Sequence, residues 1–404
     1  MLIVQKYGGS SVATPERIKR VAGRVAEGYK AGNKMVVVVS AMGDTTDDLI
    51  NLMKEITNNP PEREVDMLLS TGEQVSIALL AMAINDLGCN TVSLTGGQAG
   101  VKTNRVYSKA KIIDIDTKRI ENELDKGNVV VVAGFQGVNE NEITTLGRGG
   151  SDTSAVALAV ALKADLCEIY TDVDGVYTAD PRVVPEARKL KAVSHDEMLE
   201  LASLGAKVLH PRSVELAKLY NMPIVVRSSF DFNSMGTVVQ EVSEMEKDLI
   251  ISGVTHDDNV ARIGLYDVPD KPGIAYSVFR ALANKNIDVD MIIQSAVRNN
   301  VNDISFTITR DDLRKALAVV EEIQREVGFS RYAHDEDVSK VSIIGSGMVS
   351  NPGVAATMFE ALAEEGINIE MITTSEIKVS CVVKADQAVK AVKAIHKKFE
   401  LDAV

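Results

Sequence analysis

Leu2-Ile3-Val4-Gln5-Lys6-Tyr7-Gly8-Gly9-Ser10 runs an apolar β segment straight into a glycine turn. A continuous apolar run of this kind suits a central strand covered on both faces. Similar runs recur at Met35 to Val39, Thr91 to Leu94, Val129 to Val132, Leu166 to Tyr170 and Ile224 to Val226. Helical stretches lie between many of them. One opens at Thr14-Pro15-Glu16, with a capping candidate, a proline at the first helical position and an early acid. Another runs from about Gln74 to Leu87 and stops at Gly88. Up to residue 228 the pattern predicts a three-layer α/β sandwich with a mainly parallel sheet.

Beyond a polar stretch at 229–245, read as a connector, the chain repeats itself. A shift of 80 residues superposes Pro272-Gly273 on Pro352-Gly353, Ala281-Leu282-Ala283 on Ala361-Leu362-Ala363, and Met291-Ile292 on Met371-Ile372. Each unit reads strand, Pro-Gly turn, helix, strand, strand, helix. The first continues through Phe329 to Ala333, whereas the second ends without a closing strand. An open sheet edge is a liability, so Leu249-Ile250-Ile251 is expected to fill it. The expected division is 1–228, a connector at 229–245, a first repeat at 260–336, and a second at 246–259 plus 337–404.

The 404 residues are 45% hydrophobic and 25% charged, with a net charge of −13. That balance supports two or three domains with proper cores and argues against nucleic-acid or anionic-membrane surfaces. Cys89, Cys167 and Cys381 stand far apart and read as buried apolar residues in a reducing compartment. The five histidines lack metal-ligand spacing and read as surface or capping groups. No basic leader precedes Leu2, and no apolar run approaches the roughly 18–20 residues of a bilayer span. A soluble, cytoplasmic protein is expected.

Four stretches carry chemistry. Lys6 with Gly8-Gly9-Ser10 sets a point charge beside a backbone that can approach an anion, although the same residues also make an ordinary strand-to-helix turn. Gly147-Arg148-Gly149-Gly150-Ser151-Asp152-Thr153 opens an apolar helix, and Ser151 or Asp152 reads as its cap. A cap does not explain Arg148 among three glycines; a carboxylate or phosphate site does. Thr171 to Arg182 follows a strand, where parallel sheets bind ligands. Its acids faintly echo a calcium loop but lack the required ligand order. Ser70-Thr71-Gly72-Glu73-Gln74 reads as a capped helix start with an acid near its positive end.

Together with Gln5 to Val12 and Gly205-Ala206-Lys207-Val208-Leu209-His210-Pro211-Arg212, these motifs resemble aspartate kinases, in the family's order and over essentially the whole chain. The resemblance implies an amino acid kinase fold followed by two ferredoxin-like βαββαβ ACT domains. It implies phosphorylation of the L-aspartate side chain by ATP with Mg2+, opening the route to lysine, threonine and methionine. Lys6 would stabilise the transferring phosphoryl group, oriented by Asp152. Gly8, Gly9, Ser10, Ser40, Thr171, Asp172, Tyr177, Asp180, Arg182 and Lys207 would contact ATP. Arg148 would hold an aspartate carboxylate and Glu73 its ammonium, with Thr45 and Ser151 beside them.

The repeats would sense lysine, threonine or both. Candidate contacts are Asp270, Gly273, Ile274, Ala275 and Gln294, and in the second repeat Val354, Ala355, Asn368, Ile369, Ser375 and Glu376. A homodimer or larger oligomer through the ACT domains is implied, and Met245 is placed to start a shorter regulatory chain. The residues agree with phosphoryl transfer. A side-chain carboxylate is already ionised at pH 7, so no general base is needed, and no strong protein cage for magnesium is visible. The rivals are a related kinase of acetylglutamate, glutamate, carbamate or UMP, and a catalytically dead amino-acid sensor.

Overall fold

The computed structural model describes residues 1–206, 208–241 and 250–402. Two compact units emerge: Met1–Val176, Lys189–Ser203 and Lys207–Met245 form one; Tyr177–Arg188, Leu204–Ala206 and Glu246–Val404 form the other. The loop motif at 171–182 is therefore divided between the two units, Tyr177 to Arg182 going to the second.

In the first unit an eight-stranded sheet runs Ala192–Val193, Thr237–Val239, Ile224–Ser228, Leu166–Thr171, Leu2–Tyr7, Lys34–Val39, Val129–Ala133, Thr91–Leu94. Every neighbouring pair is parallel except Ile224–Ser228 with Thr237–Val239. All six apolar runs of the sequence are strands here. Thr237–Val239 lies inside the expected connector: it returns antiparallel because a short hairpin can join only antiparallel neighbours. The helix Pro15–Lys30 begins at Thr14, whose hydroxyl accepts the Arg17 N–H at 3.3 Å.

Leu2–Tyr7 sits between Lys34–Val39 and Leu166–Thr171, so the turns after all three strands open on one edge of the sheet. A second, four-stranded sheet was not legible in the sequence: Ile112–Ile115, Val101–Thr103, Gln136–Asn139, Glu142–Thr145. Its strands have three or four residues each, too short to show a period. The helices Glu62–Leu69 and Thr71–Asp86, joined at Ser70, together make a 25-residue segment long and apolar enough by length and composition to cross a membrane, contrary to the expectation that no run was. Its Leu69, Ile77, Leu80, Ala81 and Ile84 are buried within the domain, so length alone misleads.

The second unit carries one six-stranded antiparallel sheet, ordered Val289–Gln294, Val301–Thr309, Gly253–Pro269, Arg331–Ile344, Lys378–Lys384, Met371–Thr374. The two long central strands serve both repeats. Helices Ile274–Ala283 and Leu313–Val327 cover the first repeat, Val354–Glu364 and Ala388–Lys398 the second. The strand that closes the second repeat is not Leu249-Ile250-Ile251. It begins at Gly253, pairing Gly253 with Ile344 and Asp257 with Lys340. Ile251 precedes it as a core anchor, and Leu249 lies outside the described residues. The most apolar triplet is not the strand because Ile251 packs into the core, whereas the strand from Gly253 runs through the centre of the sheet, between Val301–Thr309 and Arg331–Ile344.

Ala179, from the loop motif at 171–182, and Val184 and Ala187, just after it, pack into the second repeat's core with Val254, Met358, Leu362 and Ile395. Thr178 Oγ1 meets His396 Nε2 at 2.9 Å, and the Val254 N–H donates to the Thr178 carbonyl at 2.7 Å. His396 is thus buried, as is His195, not on the surface; His210 caps the helix Pro211–Leu219. All three cysteines are free and buried.

Leu282 and Leu362, related by the 80-residue shift, are both fully buried. Leu282→Ala and Leu362→Ala should each cost about 2–5 kcal/mol in urea unfolding of the second unit. Loss at only one position would break the equivalence of the repeats.

Candidate active site

Lys6 is the last but one residue of its strand, and the turn that follows leaves its side chain over the sheet's carboxyl edge. Its ammonium lies 2.6 Å from Asp152 Oδ1, with both side chains about nine-tenths buried. Asp152 comes from the first turn of Gly150–Ala161, where the helix dipole also favours a carboxylate. The N-cap of that helix is Gly149, and no side chain caps it. The expected capping by Ser151 or Asp152 is therefore corrected: Asp152 turns to Lys6, and Ser151 Oγ accepts from Ser40 Oγ at 2.9 Å.

Gly149 adopts φ +68°, and a Cβ there would lie 2.0 Å from the His210 ring. Only glycine fits so close to that ring. Arg148, just before it, is exposed at the turn, four residues from the aspartate that pairs with Lys6.

Ser40 to Thr45 form the neighbouring turn, tied to the first by the Gly43 N–H donating to the Gly9 carbonyl at 3.0 Å. Thr45 starts the helix Thr45–Ile56, its hydroxyl donating to the Met42 carbonyl at 2.6 Å. Glu73, from the helix Thr71–Asp86, is 3% exposed. Its Oε1 accepts the Ala41 N–H at 3.2 Å, while Oε2 has no partner. Burial pushes its carboxyl up to about 7, against the pull of the Glu73 and Ala41 backbone N–H groups. The predicted cap at Ser70 is absent, since Ser70 Oγ donates to the Met67 carbonyl instead.

The first unit thus gathers a shielded lysine–aspartate pair, two glycine turns, hydroxyls and a buried carboxylate with one oxygen unpartnered. That set can neutralise phosphate charge and receive an ammonium.

The amino acid kinase family pattern matches residues 1–228, and the ACT domain pattern matches residues 267–324 and 341–399. Aspartokinase from Bacillus sp. (strain MGA3) is 54% identical over 401 residues, covering 99% of this chain and 97% of that protein. The chain belongs to the aspartokinase family. Escherichia coli aspartokinase III in complex with aspartate and ADP (R-state) matches its structure with a TM-score of 0.84 at 26% identity, over 98% of this chain and 99% of that one. The same enzyme in complex with lysine and aspartate (T-state) matches with a TM-score of 0.76, also at 26% identity and with the same coverage. As an aspartokinase, the protein is an ATP-dependent phosphotransferase with allosteric ACT domains.

The other expected site residues of this aspartokinase fall as follows. Thr171 Oγ1 donates to Asp172 at 3.0 Å in the first unit. Tyr177, Asp180 and Arg182 belong to the second unit, where the Arg182 Nη2 group lies 2.7 Å from Asp180 Oδ2. Lys207 lies outside the described residues. Gly273 and Gly353, both at φ +97°, cap equivalent helices, with open space where a Cβ would stand. The sequence reading gave no role to Lys189, which pairs at 2.9 Å with Asp174 of the 171–182 stretch, and none to Ser11, whose buried hydroxyl has no hydrogen-bond partner. Ser11 was legible as the next hydroxyl of a quoted motif; Lys189 carried no local signal.

A carboxyl whose pKa rises on folding destabilises the protein as pH climbs from its unfolded value of 4.5 to about 7, and fully above that. Glu73→Gln should therefore raise Tm at pH 8 and leave it nearly unchanged at pH 4.5. An equal shift at both pH values would remove the ionisation penalty from the account.

Proposed function

We propose that the enzyme transfers the γ-phosphoryl group of ATP to the side-chain carboxylate of L-aspartate, giving 4-phospho-L-aspartate. The reaction would open lysine, threonine and methionine biosynthesis and be inhibited by end products acting through the ACT domains. The observation that carries the reading is the Lys6–Asp152 pair at the sheet edge, with the unpartnered oxygen of Glu73 in the same unit.

Lys6 neutralises charge on the transferring phosphoryl, and Asp152 fixes the lysine's direction. The proposed ATP contacts are Gly8, Gly9, Ser10, Ser40, Thr171 and Asp172, with Tyr177, Asp180, Arg182 and Lys207 as further candidates. Arg148 binds an aspartate carboxylate, Glu73 its ammonium, and Thr45 and Ser151 contact the substrate. The acceptor carboxylate is ionised at neutral pH, so positioning and charge cancellation suffice. Mg2+ would arrive with the nucleotide and neutralise phosphate charge. Among the described residues no group of three or more His, Cys, Asp or Glu is placed to hold a metal.

Lysine, threonine or both act as effectors. Their contacts are Asp270, Gly273, Ile274, Ala275 and Gln294 in the first repeat, and Val354, Ala355, Asn368, Ile369, Ser375 and Glu376 in the second. The helix N-termini that follow Gly273 and Gly353 suit an amino-acid carboxylate. Exposed Tyr276, Ile292 and Ile372 support oligomer formation through these domains. The start at Met245 lies outside the described residues. A cytoplasmic location accords with three reduced cysteines.

A coupled ADP assay should show turnover with aspartate and none with N-acetylglutamate; the reverse would refute the substrate. Lys6→Met should lower kcat by about 100-fold or more. Because neutral Glu73 cannot pair with an ammonium, aspartate KM should rise as pH falls below about 7. Titration with lysine, threonine and both should lower turnover, and indifference to all three would remove the sensing role.

A further inference from the structure

Asp66, in the helix Glu62–Leu69, is completely buried and has no cationic partner among the ion pairs of the described residues. Its carboxylate is satisfied by donors from two separate segments. It accepts the Ser108 N–H at 3.0 Å on each oxygen and the Ser108 hydroxyl at 3.2 Å. It also accepts the Thr145 N–H at 2.8 Å and the Thr145 hydroxyl at 2.7 Å. These donors satisfy both buried oxygens of the side chain without a cationic partner.

The same two segments are gripped from the other direction by Arg212, the second residue of the helix Pro211–Leu219. Its guanidinium donates to the Leu146 carbonyl at 2.6 Å and to the Ala110 carbonyl at 3.1 Å. Between the grips, the Ala110 N–H donates to the Thr145 carbonyl at 2.9 Å. The anion therefore takes the N–H and O–H groups, and the cation takes the carbonyls. Neither residue is among the proposed substrate contacts, yet Leu146 lies two residues before Arg148.

We propose that Asp66 and Arg212 form a two-sided clamp that sets the position of Arg148, and so act as positioning residues for the aspartate carboxylate. The inference rests on the reading of Arg148 as the carboxylate ligand. Gly149, pressed on His210, fixes the far end of the same turn. With both ends fixed, Arg148 cannot shift along the cleft to suit a longer or shorter acid. A planar fork answering two carbonyls is a geometry that a lysine does not reproduce.

The test compares Asp66→Asn, Arg212→Lys, the milder Thr145→Val, and Arg148→Met in the full-length enzyme. The measurements are KM for aspartate, KM for ATP, kcat and Tm. The clamp predicts that the first two variants raise aspartate KM about tenfold or more while ATP KM stays within about twofold. Thr145→Val, which removes one donor, should give a smaller change of the same kind, and it decides the matter if Asp66→Asn does not fold. Unchanged aspartate KM in folded clamp variants, or equal rises in both KM values, would overturn the clamp and leave only a structural role. If Arg148→Met leaves aspartate KM unchanged, the carboxylate role of Arg148 fails instead, and the clamp's purpose with it.

Discussion

The contact between Lys6 and Asp152 constrains everything around it. Two opposite charges, largely withdrawn from water, hold the end of a central strand against the first turn of a helix. Removing one member of such a pair typically costs about 3–5 kcal/mol, because the other is left buried and uncompensated. The glycines on both sides follow from this closeness. Gly149 must turn with positive φ against His210 so that the helix can start where Asp152 reaches the lysine. Ser40 and Ser151 then meet across the same gap. A positive charge is thereby kept directed at the sheet edge, with little reorganisation left for the reaction itself.

Glu73 provides the opposite arrangement. Its carboxylate is buried, satisfied on one oxygen only, and pushed towards neutrality by burial. In the proposed reading, the aspartate ammonium supplies the missing partner, so binding restores what folding withheld. A paired charge for the phosphoryl and an unpaired one for the substrate amine divide the electrostatic work within one unit. The turn that carries Arg148 is held by neighbours outside the cleft, Asp66, Arg212 and His210.

Much of this was legible in the residues. The six apolar runs became six strands, because stretches rich in β-branched residues suit a covered parallel sheet. The 80-residue repeat was visible because its Pro-Gly turns and helix faces recur without gaps. The four-stranded sheet around Thr145 was not visible, since three or four residues cannot display alternation. The closing strand was misplaced because Ile251 is apolar for core packing and not for pairing. Lys6, Asp152 and Arg148 stood out as charges among glycines. Asp66 looked like any acid on an amphipathic helix, because its partners Ser108 and Thr145 are distant in sequence. The assignment of Tyr177–Arg188 to the second unit was likewise hidden, as its apolar residues are small and scattered.

The central claim is that the carboxylate of Asp152 holds the Lys6 ammonium in its working direction. The most direct measurement is single-turnover phosphoryl transfer by Asp152→Asn, with ATP and aspartate binding measured separately by calorimetry. The amide keeps the shape and removes the charge. The account predicts that both substrates still bind while the transfer rate falls by about tenfold or more. A transfer rate equal to that of the unmodified enzyme would contradict it.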